Sequence, residues 1–562
     1  MPSSQVRHCS SAAFDAKAQP GCHIAGSPAV LIALVGLAVV MLGSRFDGSF
    51  LQNDSAQYVS MAENLMAGLG VATSLVSTEE HLRLGSLPVV QINLPPGYPI
   101  LIALVGLLGV DSLWAAFLVS MACFSVIPFL IYRILRTTGR SSALCLALSG
   151  AWLVFPVVWV NVLGCLSEMS YTLFTLLGLA AIGQSERDPA NRNSWLLLAG
   201  TCGGLAFTVR YVGIIYIASL GALFLLRVGH QRDGRSIREL VLVGGPPTAF
   251  VLVLFARNYW LTGTFAGGVR GDEGNSMAAV LHSVYWSVSE LLGFSRSGLL
   301  RGDVPEWLLV LLVVTGLGCL AGGLRLTINW SALRALAADA CASLSLIYVV
   351  GTVAFIVMAA KAHASGVFMS RYLLPLIPFV LILVPYGLDL IRFESARGRQ
   401  KVMARALRVG ALAVVLAGQV NVAAYQLGVR IASPYRQIDR AMQQPFGSGT
   451  LRDFLSRRVT LSTPLLGNEA QLTGVVLDRP VVGLPGPMYT RTTWTEDEAR
   501  RVVAKYGVAY VVFFPHLFNP SAPEVVNQTF FRDLKQGRVP SWLEPTFSSA
   551  SVHLYQVHAS GA

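Results

Sequence analysis

Uncharged apolar runs close to twenty residues long recur through the first three quarters of the chain, and no other feature limits its fold as severely. A helix needs about 20 mostly apolar residues to cross roughly 30 Å of hydrocarbon, where no water can satisfy an open backbone. Eleven such spans are read at 28–44, 112–133, 141–160, 168–184, 194–209, 211–227, 239–256, 306–324, 341–360, 372–391 and 406–426. A further run, 97–110, is too short to cross comfortably. Composition agrees with a membrane protein: 54% of residues are hydrophobic and 13% charged, against about 25% charged in soluble domains.

The net charge of +12 would suit nucleic acid or anionic lipid, but the positions of the charges explain it differently. With a cytoplasmic N-terminus, the inner turns carry Arg133, Arg136 and Arg140, then Arg187 and Arg192, then Arg227, Arg232, Arg235 and Arg238, then Arg325 and Arg334. The last inner turn holds Arg392, Arg397, Arg399, Lys401, Arg405 and Arg408. The outer loops are longer and poorer in cations, which is the positive-inside pattern. The excess charge is therefore topological, and nucleic-acid binding is not expected.

Residues 1–27 read as a cytoplasmic tail and the first span as an uncleaved anchor. Spans 28–426 enclose a large first outer loop, 45–97, and a second, 257–305. Eleven crossings leave residues 427–562 outside the membrane. There, short β-branched runs such as "GVVLDRPVVGLP" and "VAYVVFF" alternate with "TEDEARRVVAKYG", a capped helix ending at Gly507. The expected fold is thus an α-helical polytopic membrane protein with a small C-terminal extracytoplasmic α/β domain. The eight cysteines lie in the tail or in and beside spans, so no disulfide framework is expected, and no zinc-type spacing occurs.

The first outer loop holds "FLQNDSAQYVSMAENLMAGLG", residues 50–70. Tyr58, Met61, Ala62, Leu65, Met66 and Leu69 share one helical face, and Gly68 and Gly70 supply a stop, which predicts an amphipathic helix in the interface plane, apolar face down. "DSAQ" fits a capping box with Asp54 as the cap and Gln57 answering it. "NLPPGYP" follows, an extended turn into the short run. Tyr98 and Tyr372 read as interface anchors.

A first span, an acidic residue in the first outer loop, a surface helix, "PPGYP" and a later "SRYLLPLIP" together resemble the GT-C class of integral-membrane glycosyltransferases. The nearest relatives by this likeness are the protein O-mannosyltransferases and the lipid A aminoarabinose transferases, and it covers about residues 28–426. "GGLAFTVRYVG" (203–213) and "FARNYWLTGTF" (255–265) are similar to segments of their bacterial cousins. The resemblance implies transfer of a sugar from a polyprenyl-phosphate donor to a lipid, glycan or protein hydroxyl at the outer face of a bacterial inner membrane. It puts the catalytic carboxylate at Asp54, with Asp47 as second choice. Glu168, in "GCLSEMSY", is a second acidic candidate, to orient the acceptor or assist a divalent metal; members of the class differ in needing one, and the alternatives stay open.

The chemistry suits these residue types. A phosphate leaves readily, so the main need is a base for the acceptor hydroxyl on the opposite face of the sugar, a single displacement with inversion. Cations must meet the charge growing on the phosphate; Arg371, Lys361, Arg257, Arg210 and His363 are the outer-side candidates, Arg371 foremost. Simpler roles exist for each: helix capping for Asp54, helix-start stabilisation for Glu168 and snorkelling for Arg371. The rival function is a flippase or carrier for a lipid-linked saccharide, which would need polar residues stacked at mid-depth in the spans; few occur.

Overall fold

The computed structural model describes residues 28–231, 234–265, 275–291, 326–362, 370–393, 419, 433–460, 462–487 and 489–558. From the N-terminal side the helices are α1 (Pro28–Gly43), α2 (Asn53–Met66), α3 (Glu79–Leu84), α4 (Gly97–Gly106), α5 (Ser112–Thr137), α6 (Ser142–Ala151), α7 (Pro156–Leu163), α8 (Glu168–Ser185), α9 (Arg192–Val209), α10 (Gly213–Gln231) and α11 (Gly234–Thr262). Further described helices are Met277–Leu291, Trp330–Ala338, Ala340–Ala362 and Ile377–Leu390.

Among the described residues, Ser112–Thr137, Gly234–Thr262, Ala340–Ala362 and Arg371–Leu390 are long and apolar enough to cross a membrane. The expected span 141–160 is not straight. Its chain bends by 52° between Val154 and Pro156, because the residue before a proline is driven out of the helical region; Phe155 sits at φ −76°, ψ 115°. The expected spans 306–324 and 406–426 lie outside the described residues. α1 has 16 residues, and α8 and α9 have 18 each.

α4 is a short helix wedged among α2, α5 and α9. Gly97 makes this possible, since a Cβ there would stand 2.7 Å from the Thr208 backbone. Tyr98, expected at the interface, is instead fully buried: its hydroxyl meets Ala116 O at 3.1 Å and Ser120 Oγ at 2.7 Å. A buried phenol needs such partners.

Beyond residue 433 the chain builds a sheet ordered Leu543–Ser548, His553–Val557, Tyr510–Phe513, Leu465–Gly467, Val481–Val482, Leu75–Val76. The last strand comes from the segment between α2 and α4. It pairs in parallel with Val481–Val482, Leu75 opposite Val481 and Val76 opposite Val482. Helices Glu496–Tyr506 and Thr529–Lys535 cover one face with Leu466, Val482, Val511 and Phe513 in the shared core. The first begins at a Thr495 cap and ends where Gly507 turns left-handed at φ 63°.

The other face carries helix Ala470–Leu477 and, beside it, α2. Ser74 N donates to Ser60 Oγ at 2.9 Å, and Gln57 Nε2 donates to Leu75 O and Ser77 Oγ, each at 3.0 Å. The contacts run backwards along α2 as they run forwards along the strand, so α2 lies antiparallel to it. Helix Ala470–Leu477 approaches so closely that a Cβ on Gly474 would stand 2.2 Å from Leu75 Cδ2. Every residue from Ser55 to Ala62 is buried, so these residues of α2 are covered on both faces. Gln57, Ser60 and Asn64 of α2 are satisfied by the loop and the sheet edge rather than by water, while Glu63 is exposed.

Candidate active site

α2 does not begin with Asp54 as its cap. Gln52 holds that position, with extended φ −119° and ψ 171°, and forms a reciprocal capping box with Ser55. Asp54 falls in the first turn. Gln57, the expected partner in the box, is spent on the sheet edge. The reason is tertiary: the Asp54 carboxylate is taken by Arg371, whose Nη2 lies 3.1 Å from Oδ2, while Nη1 donates to Gln52 Oε1 at 3.0 Å. Arg371 therefore binds both the cap and the acid of one helix start, from a position some 320 residues later. Its guanidinium lies 5.2 Å from the Tyr372 ring centre, and its Nε has no partner among the described residues.

A second carboxylate–guanidinium pair adjoins the first. Glu168 opens α8 and is 1% exposed; its Oε1 lies 2.8 Å from Arg210 Nη1, close but not aligned as a hydrogen bond, and Oε2 has no partner among the described residues. Arg210 ends α9 and also donates to Ser167 Oγ at 3.1 Å. Burial pulls the Arg210 guanidinium down, and Glu168 more than restores it, so the pKa lies above the ordinary value. Ser167 meets the Tyr58 hydroxyl at 3.0 Å, and burial pushes that phenol's pKa far up, keeping it neutral. The turn that delivers Ser167 and Glu168 is strained, with Cys165 at φ 52°. Ser55 Oγ fastens α2 to this turn by donating to Gly164 O.

The two pairs form one electrostatic unit. Arg371 feels Asp54 and Glu168 as well as repulsion from Arg210, and Tyr58 feels both acids. Four of the residues singled out from sequence, Asp54, Glu168, Arg210 and Arg371, thus converge from four separated segments. Gln52, Ser167 and Tyr58 complete the site. Ser167 and Gln52 stand one and two positions from the acids, which is the only sign the sequence offers of them.

Other candidates stand elsewhere. Asp47 is held by Arg436 of helix Pro434–Met442 and by Ser49, tying the first loop to the C-terminal segment. Arg257 braces the first loop through Val71 O at 3.2 Å and Gln91 O at 3.4 Å. Lys361 is exposed at the end of its helix, and His363 lies outside the described residues. Among the described residues, no group of three or more His, Cys, Asp or Glu side chains is placed to hold a metal ion. His81, buried, has Nδ1 accepting from Ser77 N at 3.3 Å and Nε2 against Gln91 Oε1 at 3.3 Å.

Comparison with known proteins points one way. Residues 93–260, which include Glu168 and Arg210, match the family model described as dolichyl-phosphate-mannose-protein mannosyltransferase. Proteins of curated function give no match. ArnT from Cupriavidus metallidurans, solved bound to undecaprenyl phosphate, superposes with a TM-score of 0.58 at 14% identity over 95% of this chain and 99% of that one. The Archaeoglobus fulgidus oligosaccharyltransferase gives 0.51 at 12% identity over 94% and 74%. The arabinofuranosyltransferase AftD from Mycobacteria gives 0.51 at 15% identity over 95% and 40%. A likeness at such identities is one of fold, and with the family model it makes this chain a membrane protein of GT-C architecture, similar to the protein O-mannosyltransferases and to ArnT.

Proposed function

We propose that the protein transfers a hexosyl or pentosyl unit from a polyprenyl-phosphate donor to a hydroxyl of a lipid, glycan or protein at the extracytoplasmic face, by inverting single displacement. The observation that carries this reading is the Asp54–Arg371 pair at the start of α2, with Glu168–Arg210 beside it. The undecaprenyl phosphate bound by ArnT supports a donor of that kind. The charge asymmetry of the turns supports a cytoplasmic N-terminus in a bacterial inner membrane, with 1–27 inside, 28–426 as the membrane unit and 427–562 outside.

Arg371 is oriented by Gln52 and Asp54 before any donor arrives. A donor phosphate competes with Asp54 for this guanidinium, which frees the carboxylate to accept a proton. Asp54 then takes the acceptor proton as the acceptor oxygen bonds to the anomeric carbon. The bond from that carbon to the phosphate oxygen breaks, its electron pair stays with the polyprenyl phosphate, and Arg371 and Arg210 meet the added charge. Glu168, desolvated and with Oε2 unengaged, holds Arg210 and orients the acceptor.

The test is transfer of labelled sugar from a panel of polyprenyl-phosphate sugars in membranes carrying the wild type or Asp54→Asn. The variant is expected to lose at least about 100-fold in rate, the low end for removing a general base, while remaining folded. Equal transfer by both proteins would overturn the role of Asp54.

A further inference from the structure

On the far side of α2 from Asp54 lies a cavity of about 420 Å³. Glu63 follows Asp54 by nine positions, which at about 3.6 residues per turn puts it on the opposite face of the helix. With Ser60 it forms the α2 wall; Ser74 and Leu75 of the first loop, the residues just before α5, and the segment from Gly474 to Pro480 form the others. An occupant would share a helix with the site described above without meeting its reacting groups.

The charges around this cavity come from separate segments. Glu63 belongs to α2; Asp111 caps α5, accepting from Leu113 N at 3.0 Å and Trp114 N at 3.2 Å; Asp478 ends helix Ala470–Leu477 in the left-handed region at φ 51°. Glu63, Asp111 and Asp478 are each exposed. Among the described residues that line the cavity, the one cation is Arg479. It is 5% exposed, and none of its three guanidinium nitrogens has a hydrogen-bond partner among the described residues, a costly arrangement for a buried charge.

A lone anion would satisfy Arg479 but face three carboxylates, and a lone cation would suit the carboxylates but leave Arg479 idle. We infer that the cavity binds a zwitterionic group with a phosphate and an ammonium a few ångströms apart, the chemistry of ethanolamine phosphate. Arg479 takes the phosphate, and Glu63, Asp111 and Asp478 surround the ammonium, with Ser60 and Ser74 as further partners. The group comes either free in water or as a lipid headgroup. Leu113 lines the cavity and the next residue, Trp114, is exposed at the start of a helix long enough to span, which is headgroup depth for such a tryptophan.

The experiment uses the full-length protein in a maltoside detergent, titrated by thermal shift and native mass spectrometry with O-phosphoethanolamine, inorganic phosphate and ethanolamine. A second arm compares vesicles of phosphatidylethanolamine with phosphatidylglycerol. O-phosphoethanolamine or phosphatidylethanolamine should stabilise the wild type, with at least about ten-fold weaker binding in Arg479→Gln and in Glu63→Gln, the loss of one charge-assisted hydrogen bond. A response to the vesicles alone assigns the lipid as source. Glu63 faces the cavity and is not a packing residue, so its variant keeps the test open should Arg479→Gln fail to fold. Equal binding of phosphate or ethanolamine alone, unchanged affinity in Glu63→Gln, or no response to either zwitterion would overturn the inference.

Discussion

Asp54 and Glu168 are both carboxylates beside arginines, yet they are built for different ends. Asp54 is one-third exposed and shares Arg371 with Gln52; Glu168 is sealed in with Arg210. An exposed pair contributes less than about 1 kcal/mol, whereas breaking a buried one costs about 3–5 kcal/mol by stranding the remaining charge. Glu168→Ala is therefore expected to lower the unfolding temperature of the purified protein by several degrees. Asp54→Asn should leave it nearly unchanged, and an equal drop in both would refute the distinction. At this scale the sequence was informative about chemistry and uninformative about pairing. The types and outer-side positions of Asp54, Glu168, Arg210 and Arg371 marked them out, but that Gln52 rather than Asp54 caps α2 follows from a contact with residue 371, which no local propensity encodes.

The periodicity of α2 was equally plain and its surroundings were not. Tyr58, Met61 and Ala62 do face the bundle, but Gln57, Ser60 and Asn64 are covered as well, by strand and loop groups that accept or donate in place of water. α3 shows the same inward turn. His81 there is fully buried and its pKa is depressed to about 4. The unfolded state, with a pKa near 6.5, takes up a proton that the folded state refuses, so stability is complete above about pH 6.5 and is lost as the pH falls towards 4, by up to about 3 kcal/mol. Thermal unfolding at pH 5 and pH 7 should differ more in the wild type than in His81→Gln, and identical pH profiles would refute the assignment. In the bundle, α9 crosses α11 at Gly200, where a Cβ would stand 2.4 Å from Val243 O. Small residues at such crossings let helices approach. Gly200→Val has only backbone to push against, and its yield of folded protein should fall steeply, as read by size-exclusion chromatography in detergent.

For the whole molecule, the segment between α2 and α4 and the C-terminal segment make one sheet. The sequence showed short β-branched runs beyond residue 433; Val481–Val482 and Tyr510–Phe513 became strands, whereas Gly474–Leu477 ended a helix; it hid Leu75–Val76, because two residues carry no periodicity and their partner is about 400 residues away. Arg436 on Asp47, Tyr506 hydroxyl on His81 O at 2.9 Å and Lys505 on Leu82 O at 2.5 Å reinforce the joint. A chain ending at residue 433 keeps Asp54, Glu168, Arg210 and Arg371 and loses what packs on α2. It is expected to insert into membranes yet transfer no sugar, and to be cut by added protease within 70–93, where the full chain resists. Activity in the truncated protein would show that the sheet is dispensable.

The strand borrowed from the first loop also sets a timetable. Chains emerge at about 5–20 residues per second, so Leu75–Val76 waits roughly 20–80 s after its own synthesis for Val481–Val482 to exist. Through that interval the bundle assembles around a helix start whose Arg371 is itself late to arrive. Asp54 gains its cation once residue 371 is made, whereas the strand beside α2 gains its partner only with residues 481–482. A prematurely terminated copy therefore lacks the sheet partner of Leu75–Val76 even where it retains the Asp54–Arg371 pair.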